Sequence, residues 1–276
     1  MPLLVSGERS IQWLRESDAF QVFETKNNNQ QPFLIHLDCE TNIPTAEESL
    51  HSFPLQDGTR CHFGRTGRQY LFEMEKSQGS MHLFFENEHC VHATTPSSFF
   101  QLSFGLWMAF NWFASFQKSI CIHASCIQHQ EQGILFIGSS GAGKSTQSRL
   151  WTQYFPKTTL LNDDGPILAQ IDCNYHVFGS PWSGKTPCYL NKHYPVKALV
   201  KVIQSTENKI EKLSIPAAVA TLLSAFPPAF GRNEQLSGNL LCIADGLLRK
   251  TPVYQLNCRP DEEAVLLTHH QIFHQP

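Results

Sequence analysis

Gly138-Ser139-Ser140-Gly141-Ala142-Gly143-Lys144-Ser145 constrains this chain more than any other stretch. It satisfies G-x-x-x-x-G-K-[ST], the pattern of a loop that wraps phosphate. Glycines let such a loop turn tightly and bring its backbone close to an oxyanion. Successive N–H groups then point inward as an anion nest, and the N-terminus of the next helix adds partial positive charge. Lys144 supplies a full charge for the terminal phosphates, and the Ser145 hydroxyl suits Mg²⁺. With Thr146, these residues are the candidate nucleotide-binding set. The flanks fit the motif: Gly133-Ile134-Leu135-Phe136-Ile137 reads as a buried strand. Lys144 to Phe155 reads as a helix, stopped by Pro156.

Composition narrows the rest. The chain has 276 residues, 41% hydrophobic and 16% charged, enough for one large domain or two modest ones with a real core. A formal net charge of −3 gives no footprint for nucleic acid. Nine cysteines without a C-x-x-C pair read as free thiols of a reducing compartment. Cys61-His62, His89-Cys90 and Cys121-Ile122-His123 are local pairs without tetrahedral zinc spacing. The first residues do not read as a secretory leader, so a cytoplasmic location is expected.

Along the chain, residues 1–95 read as a small β-rich domain. Phe20–Phe23, Pro32–Leu37 and His62–Arg65 are strand candidates, with a polar turn at Lys26–Gln30. Gln69–Met74 and Met81–Phe85 read as a hairpin. Arg60, Arg65 and Arg68 read as a solvated face, with contact to an acidic substrate as the alternative. Residues 96–276 read as a second domain. It opens on the uncharged, aromatic Pro96–Gln117 segment, long enough to suggest a membrane span but broken by Gln101, Ser103, Asn111 and Ser115. A buried helix capped by Ser97 or Ser98 is the better reading, with no membrane partner. Ser119–Ile127 is expected as one strand, followed by the loop strand, its helix, and a strand over Thr158–Asp164. A hairpin over Pro166–Phe178, a strand over Lys197–Gln204 and a helix from Ser214 to Phe226 follow. The chain closes with a helix over Glu234–Arg249, a strand over Val253–Cys258 and a last helix opening at Pro260.

The chemistry-bearing residues gather near the loop in this reading. Asp163 and Asp164 end a strand, and in open α/β sheets that end borders the ligand crevice. One carboxylate there can hold Mg²⁺ and another can accept a proton from an attacking hydroxyl. Adjacent strand residues face opposite ways, so one of the two can be purely structural. His123 precedes the loop strand and taken alone reads as a core histidine. Trp182 and Lys185 lie in a Gly/Ser/Pro loop able to close over phosphate, or to be an ordinary surface turn.

Ile122-His123-Ala124-Ser125, the Gly138–Ser145 loop, Leu161-Asn162-Asp163-Asp164 and Gly179-Ser180-Pro181-Trp182-Ser183-Gly184-Lys185, in this order, resemble the HPr serine kinase/phosphorylase-related kinases. The resemblance spans roughly residues 118–265. It implies an α/β fold of the phosphoenolpyruvate-carboxykinase type: a P-loop kinase core with a mixed central sheet, here preceded by the β-rich domain. It implies ATP and Mg as cofactors, Lys144 on the phosphates, His123 beside the catalytic carboxylate, and Lys185 near phosphate oxygens. It further implies Asp163 as base and Ser145 with Asp164 on the metal, the two aspartates being interchangeable. The segment that grips HPr in the true HPr kinases has no counterpart here. The expected reaction is phosphoryl transfer to a hydroxyl, serine foremost, of a protein or peptide, with a small-molecule acceptor and a homo-oligomer as further options. The rivals are a nucleotide-driven switch module that transfers nothing, and a carboxykinase-like metabolic enzyme.

Overall fold

The computed structural model describes residues 1–25, 31–39, 43–55 and 57–274. It is a mixed α/β structure in two compact units. The first takes residues 1–117 and 229–237, and the second takes 118–228 and 238–276. The sequence boundary at residue 95 therefore falls ahead of the aromatic helix, whereas the structural division follows it.

In the first unit, β1 (Leu3–Ser6), α1 (Glu8–Arg15), α2 (Asp18–Gln21) and β2 (Phe33–His36) are followed by β3 (Glu48–Pro54), β4 (Arg60–Thr66) and β5 (Gln69–Lys76). Then come β6 (Gly79–Phe85), β7 (Cys90–Ala93) and α3 (Phe99–Ser115). The seven strands form one sheet in the order β1-β2-β7-β6-β5-β4-β3. Two of its pairings, β1 with β2 and β2 with β7, are parallel. Strand alternation explains its inner face: Met81, Leu83 and Phe85 of β6 are all buried. The helix α3 lies against β6, and a Cβ at Gly105 would come within 2.9 Å of Met81. Trp112 packs on Phe85 at 4.7 Å between centroids. Ser98 caps α3 by accepting from Gln101 N at 3.3 Å. The buried Gln101 side chain is satisfied at both ends, by Ser97 N and by Gly79 O. Among the described residues no helix is long and apolar enough to cross a membrane.

The sequence reading needs correction here in one place. Phe20–Phe23 is not a strand, because Phe20 N and Gln21 N both bond back to Ser17 O and close the short helix α2. Four residues are too few for alternation to decide the matter. The expected turn at Lys26–Gln30 lies outside the described residues. Arg60 and Arg65 pair with Glu75 and Glu48 on the exposed face, which agrees with a solvated surface.

The second unit is built on a nine-stranded mixed sheet. Its elements are β8 (Ser119–Cys121), β9 (Ala124–His129), β10 (Gln132–Ile137), α4 (Lys144–Tyr154), β11 (Thr159–Asp164), β12 (Ile167–Ile171) and β13 (Asn174–Phe178). They continue with β14 (His193–Gln204), β15 (Lys209–Lys212), α5 (Ile215–Ala225), α6 (Glu234–Leu248, its first turn counted with the first unit), β16 (Val253–Cys258) and α7 (Glu262–Phe273). The long β14 organises the sheet: it runs parallel to β10 and to β16, and antiparallel to β13. Apolar residues of β9, β10, β14 and β16 bury against Leu150 and Trp151 of α4 and Ala264, Val265 and Ile272 of α7. Each large side chain buried this way stabilises the fold by about 1.5–3 kcal/mol.

Ser119–Ile127 is not one strand. β8 pairs with β12, whereas β9 pairs with β10 and β11. The chain has to break at Ile122-His123 to serve two sets of partners. Each of these two residues is held by a backbone bond, Ile122 N to Pro166 O at 2.9 Å and His123 N to Ala225 O at 2.8 Å.

Candidate functional site

Register brings the chemistry together. Ala124, the first residue of β9, pairs with Ile137 at the end of β10 and with Asp164 at the end of β11. One row of the sheet therefore carries three exits. His123 precedes it, the Gly138–Ser145 loop leaves from it, and Asp163 and Asp164 end on it.

The loop is shaped by residues that only glycine suits. Gly141 has φ 80° and Gly143 has φ 105°, both in the left-handed half of conformational space. Gly143 is the N-cap of α4, so the helix begins directly at Lys144. The loop rests on the end of β14: a Cβ at Gly138 would lie 3.0 Å from Val202 O, and Gln204 Nε2 donates to Gly141 O at 2.8 Å. Lys144 is buried and donates from Nζ to Gly138 O at 2.9 Å and to Ser139 O at 3.2 Å. Burial lowers its pKa, and the carboxylates of Asp164 and Asp163 oppose that shift. Both aspartates are therefore close enough to act on the lysine. Ser139, Ser140 and Ser145 are exposed; Ala142 and Thr146 are partly so. Ser148, one turn into α4, is locked to Ser125 of β9 at 2.7 Å.

The two aspartates have different surroundings. Asp163 is 4% exposed, whereas the Asp164 side chain is 53% exposed. Asp164 Oδ1 lies 3.5 Å from Nε2 of His123. Burial and the Lys144 charge lower the pKa of His123, against the pull of Asp164. The imidazole is thus neutral at neutral pH. Asp164 has φ 156°, which residues with a Cβ seldom adopt and which is commoner where function holds the backbone.

The loop with Trp182 and Lys185 lies along the end of β11. Asp164 forms an isolated antiparallel bridge with Ser183, and Gly184 N donates to Asp163 O at 2.6 Å. A Cβ at Gly184 would sit 2.7 Å from that same carbonyl oxygen, so glycine is what the close approach allows. Lys185 is the next residue and is exposed.

Sequence reasoning passed over the residues that fix this arrangement. Buried Asn162 donates from Nδ2 to Ser180 O at 3.3 Å and to Trp182 O at 3.1 Å, and accepts from Gly165 N at 2.9 Å. Ser180 Oγ donates to Gly165 O at 2.6 Å. Together they clamp the turn after Asp164 to the Trp182 loop. Both fall within the quoted segments, Asn162 as a polar residue in an apolar strand and Ser180 as one of several polar residues of its loop, but neither takes on a role until their mutual partners are seen.

No protein-family model matches the chain, and no curated protein does. Among solved structures, the Hpr(Ser) kinase/phosphatase from Coxiella burnetii is similar to it at 14% identity and a TM-score of 0.29, covering 53% of this chain and 89% of that one. A likeness that loose carries no weight on function or on the role of any residue.

Proposed function

We propose that this chain transfers the terminal phosphoryl group of ATP to a hydroxyl, serine foremost, of a protein or peptide. The observation that supports this best is the shared row at Ala124, Ile137 and Asp164, which gathers a phosphate-binding loop, a lysine, a histidine and two carboxylates. Phosphoryl transfer asks a protein mainly for positioning and charge neutralisation, and these are the groups for it. The loop amides, Lys144 and the start of α4 hold the donor phosphates. Hard oxygen donors suit Mg²⁺; the Ser145 hydroxyl and a neighbouring aspartate would hold it. When bound, the ion would neutralise charge on the phosphate oxygens.

A base must meet an acceptor arriving from solvent. Asp164 is exposed and faces His123, whereas Asp163 is buried. These surroundings favour exchanging the two expected roles: Asp164 takes the acceptor proton, and Asp163 serves the metal. The acceptor oxygen forms its bond to the terminal phosphorus as the bond to the bridging oxygen of ADP breaks. His123, neutral, orients Asp164 and can take up the proton's charge. The Trp182 loop shields the reacting phosphate from water.

The test is transfer of label from γ-labelled ATP into a cell extract with Mg²⁺, followed by identification of the labelled species. A labelled protein or peptide is expected with the wild type and none with a folded Lys144→Ala variant. ATP turnover without any labelled acceptor would replace this reading with the switch module. Nucleotide-dependent decarboxylation would replace it with the carboxykinase.

A further inference from the structure

A separate cluster in the first unit has the chemistry of a metal site. In the hairpin of β6 and β7, Phe85 pairs with Val91 and Phe84 with His92. One step past the ladder, Glu86 N donates to Cys90 O at 3.1 Å, which sets Glu86 across from Cys90. Strand alternation places Cys90 and His92 on one face, and Glu86 joins them from the opposite strand. His92 Nε2 then lies 2.9 Å from Glu86 Oε2 and 3.5 Å from Cys90 Sγ. The three donor atoms all fall within 4.8 Å of one another.

We propose that Glu86, Cys90 and His92 bind a divalent transition metal, zinc in the first place, with water completing the tetrahedron. Zinc bonds of about 2.3 Å to sulfur and about 2.0–2.1 Å to nitrogen put tetrahedral S and N donors about 3.5 Å apart. The Cys90–His92 separation has that value. The Glu86–His92 gap is shorter than a tetrahedral edge, and the exposed carboxylate has room to turn. The other ring nitrogen of His92, Nδ1, faces Cys39 Sγ at 4.0 Å, and the His36 ring stacks on His92 at 5.1 Å between centroids. A metal-bound histidine usually donates from its second nitrogen to a carboxylate, a carbonyl or water; here the Cys39 thiol lies on that side. Asn87 Oδ1 stiffens the turn by accepting from His89 N at 2.8 Å. Thiolate and imidazole select zinc or a similar ion over Mg²⁺. On binding, the metal–sulfur bond forms as the Cys90 thiol proton leaves to solvent. The pair Cys90-x-His92 is too short to stand out as a zinc motif, because the third ligand comes through hairpin pairing.

The experiment uses the untagged full chain, stripped with chelator and titrated with Co²⁺ and then Zn²⁺. Expected is a near-ultraviolet thiolate-to-cobalt band that saturates at one equivalent and is bleached by zinc. Ser145→Ala, which removes a hydroxyl that would hold the ion at the phosphate loop, should leave that band unchanged, which separates it from ion binding there. Cys90→Ser should abolish it. Glu86→Gln, an exposed change that keeps the fold, should weaken zinc binding by at least about 10-fold. Absence of the band, its survival in Cys90→Ser, or unchanged affinity in Glu86→Gln would overturn the site and leave a hydrogen-bonded Glu–His pair beside a buried thiol.

Discussion

Asp163 and Asp164 differ by one step of strand alternation, and that step separates two kinds of carboxylate. Both act on Lys144, Asp164 the more strongly, but only the exposed Asp164 meets His123 and solvent. If Asp164 is the base, Asp164→Asn should keep Mg–ATP binding while single-turnover transfer falls by about 10²-fold or more, the usual scale for removing a general base. Asp163→Asn should instead raise the Mg²⁺ concentration needed for half-maximal transfer. Transfer unchanged in Asp164→Asn but lost in Asp163→Asn would return the base to Asp163. The candidate residues themselves were legible in the sequence because each belongs to a short local pattern. The partition between them was not, since it depends on exposure. Asn162 was less legible still: its partners Ser180 and Trp182 lie far along the chain.

At the scale of elements, what was legible followed the range of the interactions. The β10–loop–α4 unit could be read directly, because glycines, lysine and an apolar run are contiguous. Ser119–Ile127 was misread as one strand, because its apolar pattern is continuous while its partners are split between β12 and the β10–β11 pair. Alternation within a segment cannot report which strand lies beside it. The Gly179–Lys185 loop shows the same limit, since its seat on β11 comes from backbone contacts at Ser183 and Gly184. Two substitutions test that seat. Gly184→Ala must push against the Asp163 carbonyl, and misplacing a catalytic element by about 1 Å can cost 10²-fold. We expect transfer to fall 10- to 100-fold with ATP binding near wild type, on the same scale. Lys185→Ala should likewise lower transfer more than it lowers ATP binding. Equal losses in both quantities would make the loop part of the nucleotide seat alone, and no loss would make it a surface turn.

At the scale of the whole molecule, acid should act on the aromatic seam of the second unit. His129 lies 5.6 Å from Trp151 and 5.2 Å from His269, and His269 stacks on Phe155 at 4.4 Å between centroids. Buried His129 Nε2 has no hydrogen-bond partner among the described residues. Burial lowers the pKa of both histidines, and at His269 the charges of His129, His274 and His270 lower it further. The unfolded chain therefore takes up these protons first as pH falls. Stability should be whole above an ordinary histidine pKa of about 6.5 and decline below it, until the folded-state values are passed. Thermal melts between neutral pH and pH 5 should show this decline, and His269→Phe should flatten it; an equal slope in that variant would assign the effect elsewhere. A last consequence follows from the split of the first unit between residues 1–117 and 229–237. Phe230 packs against Phe63, and Asn233 donates to the Tyr70 hydroxyl at 2.6 Å. During synthesis, the ribosome must deliver the whole of the intervening segment 118–228 before those contacts can form. The N-terminal sheet thus leaves the exit tunnel early but waits, unfinished, for a late piece of its own core.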